Sequence, residues 1–172
     1  QAPVTTQIPT VTPDPVQTVL SISSVPVPLA SPSSYQTDVI VNTGQNKINS
    51  VQLELLYDPK VLKNVDIMPG AFFIDPLIKL KTIDQEAGRI TYVLNVSKDS
   101  DSGVLGQGII AQIKYNILKN QKETTTFIKF EPKTQVLGVG FANSLLKSTV
   151  DASFTVGNII PTRAPTATPS AN

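Results

Sequence analysis

Apolar and polar residues alternate through most of the middle of this chain, and that period of two limits its fold more than any other feature. Val51, Leu53, Leu55 and Tyr57 share one side of the run 51–57. Ile90, Tyr92, Leu94 and Val96 share one side of 90–96, and Ile109, Ala111, Ile113, Tyr115 and Ile117 one side of 109–117. Runs at 19–24, 35–42, 78–83 (with Ile78 and Leu80 together), 127–130 and 153–156 complete the series. Successive side chains of an extended strand point to opposite faces, so each run predicts a half-buried strand. Only 59–64 hints at a helical turn, and no internal repeat is evident. Turn chemistry separates the runs: Asp84–Arg89 with Gly88 near its end, the polar tip 119–123, and Pro69-Gly70, where Gly can supply positive φ. The fold class that follows is all-β, a sandwich or barrel of antiparallel strands.

The 172 residues are enough for one domain. Much proline lies outside the alternating region: Pro3, Pro9, Pro13, Pro15, Pro26, Pro28 and Pro32 near the start, Pro161, Pro165 and Pro169 near the end. With the surrounding Thr, Val and Ala these segments read as extended linkers, because proline fixes φ and neither end carries a core-forming pattern. The expected division is a linker at 1–17, a folded domain at 18–157 and a linker at 158–172. Cys, His and Trp are all absent. The first two zeros exclude a thiol nucleophile, a Ser-His-Asp triad, a Cys/His zinc site and a disulfide framework. A formal charge of +1 offers no footprint for nucleic acid, and no apolar run is long enough to span a bilayer. The chain is expected to be secreted or displayed on a bacterial or archaeal cell surface, and to need no cofactor.

Leu55-Leu56-Tyr57-Asp58-Pro59-Lys60-Val61-Leu62, followed by Val65-Asp66-Ile67-Met68-Pro69-Gly70, resembles the cohesin family. Two further segments match in order: Ala87-Gly88-Arg89-Ile90-Thr91-Tyr92, and Gly106 through Tyr115. The resemblance covers roughly 18–157. It implies an antiparallel nine-stranded β-sandwich of jelly-roll topology, without catalytic activity, whose partner is a dockerin: a small, calcium-loaded helical module. It also implies docking on the flat face built from the third, fifth, sixth and eighth strands, here about 51–57, 78–83, 90–96 and 109–117. Alternation then turns Gln52, Glu54, Leu56, Lys79, Lys81, Thr91, Val93, Asn95, Ile110, Gln112, Lys114 and Asn116 outward as the candidate partner-binding set. Within it Leu56, Val93 and Ile110 would form an apolar centre with a polar rim.

Two other functions compete. A structural subunit of a filament, stalk or surface layer would use the Pro/Thr tails for self-association. A carbohydrate-binding module shares the sandwich architecture, but sugar platforms use exposed aromatic rings; Trp is absent here, and Tyr57, Tyr92 and Tyr115 are expected to point inward. Asp99-Ser100-Asp101-Ser102-Gly103 resembles the start of a calcium loop, yet Ile110 stands where an EF-hand places its bidentate Glu, so no metal is expected. The scattered carboxylates show no glycosidase pairing. The Asn95-Val96-Ser97 sequon carries no weight.

Overall fold

The computed structural model describes residues 16–29, 34–97, 103–117 and 123–156. The expected linkers at the two ends, apart from residues 16 and 17, the Asp99–Ser102 segment and most of the 119–123 tip therefore lie outside the described residues. Among the described residues twelve strands form: β1 (Thr18–Ile22), β2 (Val27–Pro28), β3 (Ser34–Asn42), β4 (Ile48–Tyr57), β5 (Leu62–Pro69), β6 (Leu77–Asp84), β7 (Arg89–Asn95), β8 (Gln107–Ile117), β9 (Thr124–Phe130), β10 (Gln135–Gly138), β11 (Leu146–Val150) and β12 (Ala152–Val156). They make two sheets. Sheet A has the order β11-β1-β3-β8-β5, with β2 also on β3; sheet B has β12-β9-β4-β7-β6, with β10 also on β4. Among the described residues no helix is long and apolar enough to cross a membrane.

The all-β sandwich is therefore as expected, with twelve strands rather than nine. The extra count comes from the short β2 and β10 and from a break at Asp151, where the chain leaves β11 in sheet A for β12 in sheet B. The Asp151 carboxylate fixes that corner by accepting the Phe130 backbone N–H at 2.9 Å. One pair is not antiparallel: β11 runs parallel to β1.

The alternating apolar residues fill the space between the sheets. Val51, Leu53, Leu55 and Tyr57 of β4 face Leu20, Val39, Val41, Ile113 and Tyr115 of sheet A, all buried. The Tyr115 ring stacks between Tyr35 and Phe154, with centroids 6.4 and 6.0 Å away. Fully burying such side chains stabilises a fold by about 1.5–3 kcal/mol each, so the repeated alternation is what holds the sheets together.

Local signals explain the connections. Asp58 caps a turn at 59–61, shorter than the helical turn anticipated at 59–64 because β5 already begins at Leu62: its carboxylate accepts the Lys60 N–H at 2.9 Å, and its carbonyl accepts the Leu62 N–H at 2.9 Å. In the β6–β7 turn, Gly88 adopts φ 69 and a Cβ there would lie 2.3 Å from the Tyr57 carbonyl oxygen. Gly70 differs from expectation. It does not adopt positive φ; a Cβ at that position would lie 2.2 Å from the Ile109 oxygen, so the small residue serves close approach of two backbones.

Of the register shifts in the described strands, two fall on anticipated site residues. In β6 the register shifts between Ile78 and Leu80, so Ile78 sits opposite Leu94 while Leu80 sits opposite Val93. Ile78 and Leu80 thus take opposite faces, where a shared face was expected. In β8 the register shifts beside Ile40, leaving Ile110 as the extra residue between Ile109 and Ala111.

Candidate functional site

The outer face of sheet B gathers most of the anticipated residues, and its register defines four rows. Leu77, Asn95, Ser50 and Leu137 form the first; Leu80, Val93, Gln52 and Gln135 the second. Thr82, Thr91 and Glu54 make the third, and Asp84, Arg89, Leu56 and Lys129 the fourth. Gln52, Glu54, Leu56, Thr91, Val93 and Asn95 therefore point outward together, as alternation predicts. Exposed Lys79, at the β6 bulge, lines a shallow groove over the first row with Ser50, Leu77, Asn95 and Leu137.

Five of the anticipated residues lie elsewhere. Ile110, Gln112, Lys114 and Asn116 belong to β8, which is paired between β3 and β5 in sheet A, on the other side of the sandwich. Ile110 is moreover buried at 1 % exposure, because the bulge turns it into the core, so the expected apolar centre of Leu56, Val93 and Ile110 does not exist. Lys81 is the fifth. The β6 bulge places it opposite the inward Tyr92, and its ammonium reaches Asp66 of β5 at 2.7 Å. Alternation tells which residues share one side of a strand; it carries no information about which sheet the strand joins.

The missing side of the face is supplied by β9 and β10. Phe127 and Lys129 project outward from β9, with the Lys129 ammonium 5.2 Å from the Phe127 ring centroid. Gln135 and Leu137 project from β10. The alternation at 127–130 marked β9 as a strand, and its Lys129 between two buried-side residues was the available signal.

Hydrogen bonds fix the polar part of this face. The Gln52 amide donates to Glu54 Oε1 at 2.8 Å and the Thr91 hydroxyl to Glu54 Oε2 at 2.6 Å. Gln135 donates to Gln52 Oε1 at 3.1 Å, and Ser50 to Asn95 Oδ1 at 3.0 Å. Arg89 pairs with Glu131 at 2.7 Å beside a second shallow groove that Glu54, Thr91 and Lys133 also line. Charge thus collects at the Arg89 end. The Leu77–Leu80 end is apolar, with Leu80 47 % exposed and Val93 half-buried beside it.

One lateral seam of the sandwich lies between the edge strands β5 and β6. The Gln85 side chain closes it: its amide donates to the Val65 carbonyl at 2.6 Å, and its oxygen accepts the Val65 N–H and the Tyr57 hydroxyl, each at 3.2 Å. The hydrogen bond from Lys81 holds the Asp66 carboxyl below its ordinary pKa. Burial raises the Tyr57 phenol, with the Asp84 charge adding to the effect. Burial and the nearby Asp66 charge push the Tyr92 phenol up to about 12.

Among the described residues no three His, Cys, Asp or Glu side chains group to hold a metal ion. What the outer face of sheet B offers is a prearranged surface of amides, hydroxyls, one central carboxylate and an apolar margin, a chemistry suited to recognition of another surface.

The family model of the cohesin domain matches residues 36–156. The chain belongs to the cohesin family. Comparison with curated proteins finds no match. Solved structures share the fold at low identity. The seventh ScaB type I cohesin from Pseudobacteroides cellulosolvens is 15% identical, with TM-score 0.68, covering 86% of this chain and 96% of its own. A non-cellulosomal cohesin from the archaeon Archaeoglobus fulgidus is 20% identical, with TM-score 0.62 and coverages of 83% and 92%. A chain from a type I cohesin–dockerin complex of Clostridium thermocellum is 14% identical, with TM-score 0.64 and coverages of 81% and 93%.

Proposed function

We propose that this cohesin is a non-catalytic docking module that captures a dockerin-like helical partner on the outer face of sheet B, outside the cell, as part of a secreted or surface-bound assembly. Its flanking Pro/Thr segments serve as linkers in this proposal. The observation that carries it is the hydrogen-bonded polar network beside an apolar margin on the outer face of sheet B. On sheet A the outward rows Ser34–Asn116 and Gln36–Lys114 are polar and Asp38 accepts from both Gln36 and Gln112, while apolar side chains occur as the pair Ile40–Ile109 and as Met68 beside Gln112. On sheet B an apolar margin at Leu80 and Val93 borders residues already fixed by one another, which lowers the entropy lost on docking. The Clostridium thermocellum relative was solved as a cohesin–dockerin complex, which supports the partner class.

Calorimetric titration of the full chain against the calcium-loaded dockerin modules of the same genome tests this. At least one should bind, V93D should weaken that binding tenfold or more, and K114E on sheet A should leave it unchanged. Failure of every module to bind defeats the proposal; loss of binding in K114E with V93D unaffected moves the site to the other sheet.

A further inference from the structure

Glu54 stands out on the docking face because its charge is held but not balanced. Its carboxylate is half-buried at the middle of sheet B. Both oxygens are positioned by neutral donors, the Gln52 amide at 2.8 Å and the Thr91 hydroxyl at 2.6 Å. The ion pairs among the described residues are Lys81–Asp66 and Arg89–Glu131, so the guanidinium that shares the groove with Glu54 is already engaged by another carboxylate, and Lys133, which also lines the groove, forms no ion pair with Glu54. Each carboxylate oxygen can accept a further hydrogen bond. A rigid, partly desolvated anion of this kind attracts a cation more strongly than an exposed, mobile one does, and charge-assisted hydrogen bonds are the stronger class.

We infer that Glu54 is the specificity-determining acceptor of the docking face, and that it takes a Lys or Arg from a partner helix whose adjacent turn sets an apolar side chain on Leu80 and Val93. The inference rests on the docking function proposed above and adds the chemistry of the partner. Its geometry comes from the register. Glu54 and Thr91 occupy the row next to Gln52, Val93 and Leu80. Neighbouring rows on one face are two residues apart, about 6.8 Å at roughly 3.4 Å per residue. A helix advances about 6 Å in four residues, so one lying along the strands brings positions i and i+4 over the two rows. A helix of about 10 Å diameter also spans the width from β4 to the β6–β7 margin. The opposite arrangement, an acidic side chain over Glu54, places like charges together and is disfavoured.

The test uses the full chain and whichever dockerin module of the same genome binds it. E54Q preserves size and one acceptor oxygen while removing the charge. It should fold with an unchanged melting temperature, weaken binding roughly ten- to a hundredfold and flatten the dependence of affinity on salt. Changing the matching basic residue of the partner to Glu should abolish capture by the wild-type face, and E54K should restore it. E54Q binding within twofold of wild type, while V93D abolishes capture, overturns the role of Glu54 and leaves the docking face standing. No module binding the wild-type chain defeats the docking function and this inference with it.

Discussion

Two inward tyrosines illustrate how far a single hydroxyl decides a residue's contribution. The Tyr115 hydroxyl and Thr37 Oγ1 lie 2.8 Å apart, whereas the Tyr92 hydroxyl is buried with no partner. Burial pushes both phenols up to about 12. Below the ordinary value of 10.0 both are protonated whether the chain is folded or not. As pH rises from there toward about 12, the unfolded chain loses protons that the folded chain keeps, so stability falls across that window. Y92F removes a titrating phenol and strands nothing. It should match or exceed wild-type stability at neutral pH and flatten the alkaline decline. Y115F should flatten it too, yet lose about 1 kcal/mol at neutral pH, because the buried Thr37 hydroxyl is left without its bond. Urea unfolding at pH 7, 10 and 11 reads both; a Y92F that loses more than about 2 kcal/mol at pH 7 contradicts an unpartnered hydroxyl.

At the scale of elements, the β5–β6 seam separates a strong fastener from a weak one. Gln85 satisfies both backbone groups of Val65 on an edge strand and the Tyr57 hydroxyl as well. Q85A should therefore lower stability by about 1–3 kcal/mol, since it leaves half-buried groups unpaired. Lys81–Asp66, at 2.7 Å, is more open, with the two side chains 37% and 52% exposed, so K81M should cost less than about 1 kcal/mol. Because the Asp66 pKa is lowered, that contribution is present above the ordinary carboxylate range and disappears as pH falls through the folded value. Chemical denaturation of the two variants at pH 7 and pH 3 checks the order: Q85A should stay destabilised at both, while the K81M deficit should shrink as pH is lowered. The seam also marks where the sequence stopped being legible. β4 and β7 pair without a break from Ser50 with Asn95 to Leu56 with Arg89, and there alternation places every side chain on its observed face. In β6 the apolar–polar pattern of Ile78 to Lys81 continues straight through the bulge at Lys79, so nothing local shows that Leu80 moves outward and Lys81 inward. Ile110 turned inward for the same reason, and the sheet to which β8 belongs depends on pairing with β3 and β5, which are remote in sequence.

For the whole molecule, the direction of its strands separates the proposed docking face on sheet B from the two ends of the folded part. Thr18 pairs with Leu146 at the end of the sandwich where β4 begins, since Leu137 and Gly138 pair with Ser50 and Ile48 at the same end. β11 runs parallel to β1, and the chain continues through Asp151 into β12. There Val156 pairs with Thr124, beyond the pairing of Ile128 with Tyr57 at the other end of β4. The folded part therefore begins and finishes at opposite poles, while the rows from Leu80 to Arg89 lie on a broad face between them. Modules joined at either pole would flank the docking face without covering it. Removing residues 1–15 and 157–172 together should leave the affinity for a captured dockerin within about twofold of the full chain, because a change of less than about 0.4 kcal/mol is expected when no binding contact is removed. The subunit of a polymer would behave differently: its assembly would fail once the tails were gone. Titration of the trimmed and full chains against one dockerin, with sedimentation of each alone, compares the two outcomes directly. Equal affinity and a monomer in both forms fit a module held in line by its linkers; a full chain that assembles, and a trimmed chain that does not, would make the tails the working surface instead.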